Sequence, residues 1–429
     1  MKTAHEPGGW KTTSRADFSA GFRLASRAAA RQNPAPQTLP LTRTATEPTA
    51  EQIRREPPMD VRPQTRLGIS AIALHRPAWE LENDWFGAAM PRKFAHHTGI
   101  EARPISLDDE VTMGLHAVRE LQRQTGCGLS SCRGIVFVSP SFIPASIARQ
   151  HLSPAEAARE RPSLAAVRLA RELGLRNCRT VGLNWFCCGY SRALARVCGR
   201  WAPRLSLRRD EYLLVIAASR ISRITDYGHV QTAGLFGDMA SATLLAPLGS
   251  RRHPVHFEIL HADAEKQPAE RPVFDFELRP RVPVPRPDGG TTLADERLVY
   301  DLDGMAIAEI APRAMSAATA RAVAAAGLSG DDVRFVVPHQ AGTGIVRFTG
   351  MKLEEYGIRG ELINGLTRRT GNLSACSVPH ALKETWSRLT GVIACPTAAV
   401  GSPGRPEVLQ GCVLLRATAF HDRQANAAA

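Results

Sequence analysis

Three observations predict an α/β fold built from two similar halves. With 429 residues and 44% apolar side chains, the chain is long enough for a large core or two half-domains. Its Val, Ile and Leu fall in short runs separated by Ala-rich periodic stretches, the alternation expected of buried strands and helices. One helix–turn–strand unit also occurs twice. Thr112–Arg123 leads to Gly128-Leu129-Ser130 and the run Ile135–Val138, and Pro312–Ala325 leads to Gly327-Leu328-Ser329 and Phe335–Val337. The two triplets and the strand ends that follow lie at one constant offset. A duplicated α/β half is therefore expected, with chance similarity between Ala-rich helices as the alternative.

Residues 1–65 are set apart by their Ala, Arg, Thr and Pro content and read as a disordered extension. Within them Ala16–Arg31 has the pattern of a short basic amphipathic helix, faintly like a transit peptide. The preferred reading is an over-extended start with Met59 as the initiator. Folded patterning begins at Arg66-Leu67-Gly68-Ile69. Residues 66–250 are expected to form the first half and 251–429 the second, divided in the polar stretch Leu248–His256. Ile143–Pro162 reads as an excursion that opens a helix at Ser153-Pro154-Ala155-Glu156, as a lid, a dimer contact or a neutral insertion. Further strands are expected at Tyr212–Ala217, Ser241–Ala246, Val392–Cys395 and Val413–Leu415. The Pro-rich stretch Arg271–Gly290 should be loop or sheet edge.

Composition narrows the function. No apolar run reaches the roughly 18–20 residues of a membrane span, and no signal-peptide core is present. Nine cysteines without paired metal-ligand spacing suit reduced thiols in a cytoplasmic protein and argue against zinc. Residues 1–65 account for +4 of the net charge of +13, leaving +9 on the rest. A basic body suits an anionic partner, or simply a high-arginine genome. Five tyrosines and no aromatic–basic interleaving argue against a nucleic-acid surface.

Three distant segments hold the candidate chemistry. Asn184-Trp185-Phe186-Cys187-Cys188-Gly189-Tyr190 places a thiol just before the helical stretch Gly189–Cys198, where free amides and the dipole favour the thiolate; alone, it reads as readily as two inert buried cysteines. Val337-Pro338-His339-Gln340-Ala341-Gly342 puts an imidazole at a strand end on a Gly turn. Thr370-Gly371-Asn372 places a carboxamide in a tight turn before the helical stretch Pro379–Leu389, which is also ordinary turn chemistry. The glycine loops Phe236-Gly237-Asp238 and Gly401-Ser402-Pro403-Gly404 can bring amides to a reacting carbonyl.

Together these segments resemble the thiolase-like condensing enzymes, most closely β-ketoacyl-[acyl-carrier-protein] synthase III, over about Arg66 to Arg416. The family's Asn-x-x-Cys-x-Gly-Phe is matched by Asn184 to Tyr190, its Val-Pro-His-Gln-Ala by Val337 to Ala341, and its Gly-Asn-Thr-Ser-Ala-Ala-Ser by Gly371 to Ser377. Thr98-Gly99-Ile100 and Phe236-Gly237-Asp238 add support. The resemblance implies duplicated βαβαβαββ halves in five layers, α-β-α-β-α. It implies Cys187 as nucleophile, and His339 and Asn372 as donors to a malonyl-type thioester. Backbone N–H groups of Cys187 and of the Gly401–Gly404 loop would hold the acyl oxygen. It further implies acyl-CoA and an acyl carrier protein as partners, a homodimer, and no metal or redox cofactor.

Several positions depart from the family. Lys93 and His97 stand where Trp and Arg usually grip coenzyme A. Gly342 and Gly344 replace Asn and a basic residue after the histidine, with Arg347 and Lys352 nearby. Met239 replaces a glycine, and bulky Trp185 and Phe186 are expected to narrow the pocket. Weaker substrate contacts are assigned to His97, Phe236, Gly342 and Arg347. These departures imply a specialised condensing enzyme making a β-ketoacyl product. The alternatives are a type III polyketide synthase-like or non-decarboxylative acyltransferase, and a non-catalytic partner subunit of a heterodimer.

Overall fold

Two sets of five strands with one shared topology form the frame of the protein. A computed structural model describes residues 66–428, with side chains to residue 425; the extension 1–65, its helix and the Met59 start lie outside the described residues. In chain order the strands are β1 (Leu67–His75), the short pair β2 (Glu80–Glu82) and β3 (Ala102–Pro104), β4 (Cys132–Val138), β5 (Arg179–Leu183), β6 (Tyr212–Ser219) and β7 (Met239–Pro247). There follow β8 (Phe257–Ala262), β9 (Glu265–Pro268), β10 (Phe274–Pro285), β11 (Thr291–Leu302), β12 (Val333–Val336), β13 (Glu361–Leu362), β14 (Val392–Val400) and β15 (Glu407–Ala417).

The sheet order is β5-β4-β6-β7-β1 in the first set and β13-β12-β14-β15-β8 in the second. In both sets the first three strands are parallel and the last two pairings antiparallel. The sets join antiparallel at Gly68–Glu258 and Ile69–Phe257.

Strand alternation explains the layers, because successive side chains point to opposite faces. Val136 and Val138 of β4 and Ile393 and Cys395 of β14 face one shared core with Tyr190, Leu194, Val378 and Leu382 of two central helices, Gly189–Arg196 and Ser377–Glu384. Ile135 and Phe137 face outward onto the helices Glu110–Thr125 and Pro162–Glu172. Val392 and Ala394 face outward onto Gly304–Ala325. These are the five layers α-β-α-β-α of the expected thiolase-like fold.

Some expectations are corrected. The helix ending at Ala325 starts at Gly304, not at Pro312. Asp303 caps it by accepting from the Ala306 amide, and the helix runs through Pro312, whose missing N–H removes one bond. The Pro-rich stretch takes the sheet-edge alternative expected of it. It forms β10, twelve residues paired with β11 in a separate two-stranded ribbon, where every strand is an edge and prolines are tolerated. The base of this ribbon is apolar and buried through Phe274, Phe276, Leu298 and Tyr300. Ser153 and Glu156 form the expected capping box of the helix Pro154–Arg159.

Candidate active site

Strand β5 delivers the thiol segment. Asn184 anchors it, donating from Nδ2 to the Phe142 carbonyl at 2.7 Å and accepting from the Phe186 amide at 3.4 Å. That turn holds Phe186 in the left-handed region at φ 42°, and Phe186–Cys188 form one tight turn before the Gly189 helix. A Cβ at Gly189 would lie 2.3 Å from Val138 Cγ1, so only glycine lets the turn press onto β4. Cys187 Sγ then stands 3.4 Å from Ser374 Oγ. Burial pushes the Cys187 thiol up to about 11, and hydrogen bonds from Ser374 and its own amide only partly offset this. Burial therefore opposes the thiolate expected at the helix start.

The carboxamide segment is built alike. Gly371, at φ 60°, lies so close to the Leu235 carbonyl that a Cβ there would sit 2.7 Å away. This approach lets the Asn372 amide bond the Leu235 carbonyl at 2.7 Å while Gly237 N donates to Asn372 O at 3.2 Å. Asn372 Oδ1 accepts from the Ser374 amide at 2.8 Å, which orients the carboxamide and leaves Nδ2 as its donor end. Ser374 is left-handed at φ 49°.

The imidazole segment extends past β12. The His339 amide donates to the Pro396 carbonyl of β14 at 2.9 Å, and the ring is buried, with Nδ1 making no hydrogen bond. Burial lowers its pKa to about 4, so the ring is neutral at physiological pH. The three segments interlock. Gln340 N donates to Ser377 Oγ at 2.7 Å, and Ser191 and Thr397 hydroxyls meet at 3.1 Å, one residue from the His339 anchor.

The weaker candidates divide into groups. His97, Gly342 and Arg347 gather on one rim. The Thr343 hydroxyl donates to the Thr98 carbonyl at 3.2 Å, joining the helix Phe94–Thr98 to the start of Thr343–Glu354. Burial lowers the His97 pKa, and neighbouring His96, Lys93 and Arg347 lower it further. Phe236 lies apart from this rim, paired with Asn372 and edge-to-face with Tyr300 at 5.5 Å. Gly401 is buried and adjoins a cavity of about 320 Å³ shared with Trp185, Phe186 and Pro403.

Gly404 is corrected as an oxyanion donor: it is exposed and its amide donates to the Phe274 carbonyl at 2.9 Å. The Ser402 amide is likewise engaged, by Glu407 at 2.8 Å. Trp185 lies under the Arg192 guanidinium at 4.3 Å, and Phe186 packs on Phe274 at 5.1 Å. Sequence reasoning missed Ser374 as the sulfur's neighbour, although its place two residues after Asn372, like Phe186 after Asn184, was a usable signal. It also missed Tyr300, which no motif marks. Asp238 holds the surroundings together, accepting from the Ser106 amide at 2.8 Å and the Ser222 amide at 3.1 Å; burial raises its pKa to about 6.

Among the described residues no helix is long and apolar enough to cross a membrane. A family model for 3-oxoacyl-[acyl-carrier-protein] synthase III matches residues 204–264, and the model for its C-terminal part matches 323–390, which includes His339 and Asn372. The 3-oxopimeloyl-[acyl-carrier-protein] synthase of Rhodothermus marinus is 31% identical over 74% of this chain and 84% of its own length. The β-ketoacyl-[acyl-carrier-protein] synthase III of Geobacillus kaustophilus is 30% identical over 52% of this chain, which spans 61% of that protein. The crystal structure of 3-oxoacyl-[acyl-carrier-protein] synthase III from Aquifex aeolicus superposes with a TM-score of 0.56 at 18% identity, covering 82% of this chain and 99% of the other.

Proposed function

We propose a decarboxylative condensation for this chain, which belongs to the 3-oxoacyl-[acyl-carrier-protein] synthase III family of acyltransferases. In the first half-reaction Cys187 Sγ attacks an acyl thioester. The new S–C bond forms as the old one breaks, and the departing thiol takes a proton. The Cys187 proton must leave during this step, because burial keeps the resting thiol protonated. That proton ends on the departing sulfur, so the step balances without charging His339, whose pKa of about 4 makes it a weak base.

In the second half-reaction a malonyl-type thioester enters. His339 and Asn372 Nδ2 donate to its thioester carbonyl, where negative charge gathers as CO₂ departs. The resulting enolate carbon attacks the acyl carbon on Cys187, the C–C bond forms and the sulfur leaves. The rim cations Lys93 and Arg347, beside a neutral His97, suit the phosphates of coenzyme A or the phosphopantetheine arm of a carrier protein.

What carries this reading is the linked set Cys187–Ser374–Asn372, together with a buried neutral imidazole whose backbone amide is anchored to Pro396 of β14. Single-turnover mixing of acyl-CoA with carboxyl-labelled malonyl thioester tests it. The expected result is one labelled CO₂ for each β-ketoacyl product. Acyl transfer to an oxygen or nitrogen acceptor without CO₂ would contradict it.

A further inference from the structure

A thiol stands beyond each end of β5: Cys187 follows the strand and Cys178 precedes it. Cys178 Sγ lies 3.9 Å from Cys132 Sγ, at the start of β4. The two strands are parallel neighbours with Gly134 opposite Arg179, so their starts lie side by side. Strict alternation would put Cys132 and Ile135 on opposite faces of β4. A register shift against β6 between Cys132 and Gly134 instead turns Cys132 onto the outward face with Ile135 and Phe137. Cys178 packs against that same cluster. Cys132 is buried, whereas Cys178 is half-buried and follows the exposed Arg176 and Asn177. The pair shares its proton unequally. The hydrogen bond to Cys178, with burial, holds the Cys132 thiol well above its usual range. The same bond lowers Cys178; burial opposes this and the Arg133 guanidinium adds to it. Cys178 is thus the readier thiolate, while Cys187 is pushed up to about 11.

A disulfide needs its sulfurs about 2 Å apart, so this gap must close by roughly 2 Å. Each sulfur can cover half of that by turning about its own Cα–Cβ bond. We propose that Cys132 and Cys178 form a reversible disulfide site, oxidised by hydroperoxides. The Cys178 sulfur attacks one peroxide oxygen; the S–O bond forms, the O–O bond breaks and the far oxygen leaves as hydroxide or alkoxide. The Cys132 sulfur then attacks Cys178; the S–S bond forms, the S–O bond breaks, and the Cys132 proton leaves with the hydroxyl as water. The two sulfurs give up two electrons and the peroxide takes them. A dithiol reverses the change by thiol–disulfide exchange. The bridge joins the ends of the segment 133–177, which carries the helices Ala145–His151, Pro154–Arg159 and Pro162–Glu172, and so ties that excursion at its base.

The test treats the full reduced chain, freed of reductant, with hydrogen peroxide in slight molar excess. Intact-protein mass spectrometry and non-reducing peptide maps follow the product. The main product should be two hydrogens lighter, with a single Cys132–Cys178 bridge, and dithiothreitol should restore the reduced mass. Cys178 should be oxidised at least about tenfold faster than Cys187 in the same maps. Cys132→Ala should stop at a Cys178 sulfenic acid that dimedone captures, and Cys178→Ser, at a half-buried position, should keep the fold and form no bridge to Cys132. The wild-type map decides even where a variant folds poorly. A main bridge between other cysteines, a Cys178 sulfinic acid without bridging, oxidation of Cys187 ahead of Cys178, or no loss of thiol at all would overturn the proposal. None of these results touches the condensing reading, which rests on acyl transfer by the reduced protein.

Discussion

The protein builds one turn twice and uses it for two tasks. In Asn184–Gly189 and in Asn372–Ser377, an asparagine side chain accepts from the amide two residues on, at 3.4 and 2.8 Å. In both, that second residue is left-handed without being glycine, Phe186 at φ 42° and Ser374 at φ 49°, and a tight turn then opens a central helix. Two matching left-handed residues, each strained by roughly 1–3 kcal/mol, show that both sites hold their geometry against backbone preference. The difference is in the occupants. The fourth place is Cys187 in one turn and Ala375 in the other, and Asn184 spends its Nδ2 on Phe142 while Asn372 is oriented through Oδ1, with Nδ2 as its donor end. Equal backbones thus yield a sulfur on one side and a donor on the other, meeting through Ser374.

The largest effect expected is from moving the sulfur. Cys187→Ala should reduce acylation by at least about a thousandfold, and adding Ala375→Cys should not restore it, because Ala375 is buried in the shared core. Acyl mass recovered in the double variant would show that the two turns are interchangeable. Next, the two asparagines should fail differently. Asn372→Ala should slow decarboxylation by about 10²–10³-fold and also destabilise, because the buried Ser374 amide loses its acceptor. Asn184→Ala should mainly destabilise, by about 1–3 kcal/mol, because the Phe142 carbonyl loses its partner. Equal losses of stability and rate in both would erase the distinction.

The motifs show why part of this was legible in the sequence. Cys187, His339 and Asn372 each sit in a short ungapped segment, so their order could be read directly, and the repeated helix–turn–strand unit exposed the duplicated fold. What the one-dimensional chain hides is burial and pairing. A helix start is visible at Gly189, but the desolvation that raises the Cys187 thiol is not. The glycines of the Gly401–Gly404 loop are visible, but the Gly404 amide is engaged by Phe274 and the neighbouring Ser402 amide by Glu407, which come from elsewhere. Tyr300 reaches Phe236 through a ribbon register that exists only after β10 and β11 pair.

A smaller effect sharpens the comparison at the sulfur. The rate of Cys187 alkylation should climb with pH toward about 11, and Ser374→Ala should move that profile to still higher pH by removing a hydrogen bond that lowers the thiol. An unchanged profile would mean the two turns do not communicate through Ser374. The smallest effect concerns acid stability. His339 and His380 are held down to about 4 by burial, against 6.5 when unfolded. The unfolded chain therefore binds more protons between those values, and stability present above pH 6.5 is lost as pH falls toward 4. His380→Gln should flatten that slope in melting curves across the window, and an unaltered slope would count against a neutral buried ring.

The fate of the acyl group is the most direct test. Peptide mapping after acyl-CoA treatment should place the adduct on Cys187 in wild type, His339→Ala and Asn372→Ala alike. Malonyl thioester should then discharge it within one turnover in wild type and leave it in place in both variants. An adduct on another cysteine, or discharge at the wild-type rate without His339 or Asn372, would contradict the account.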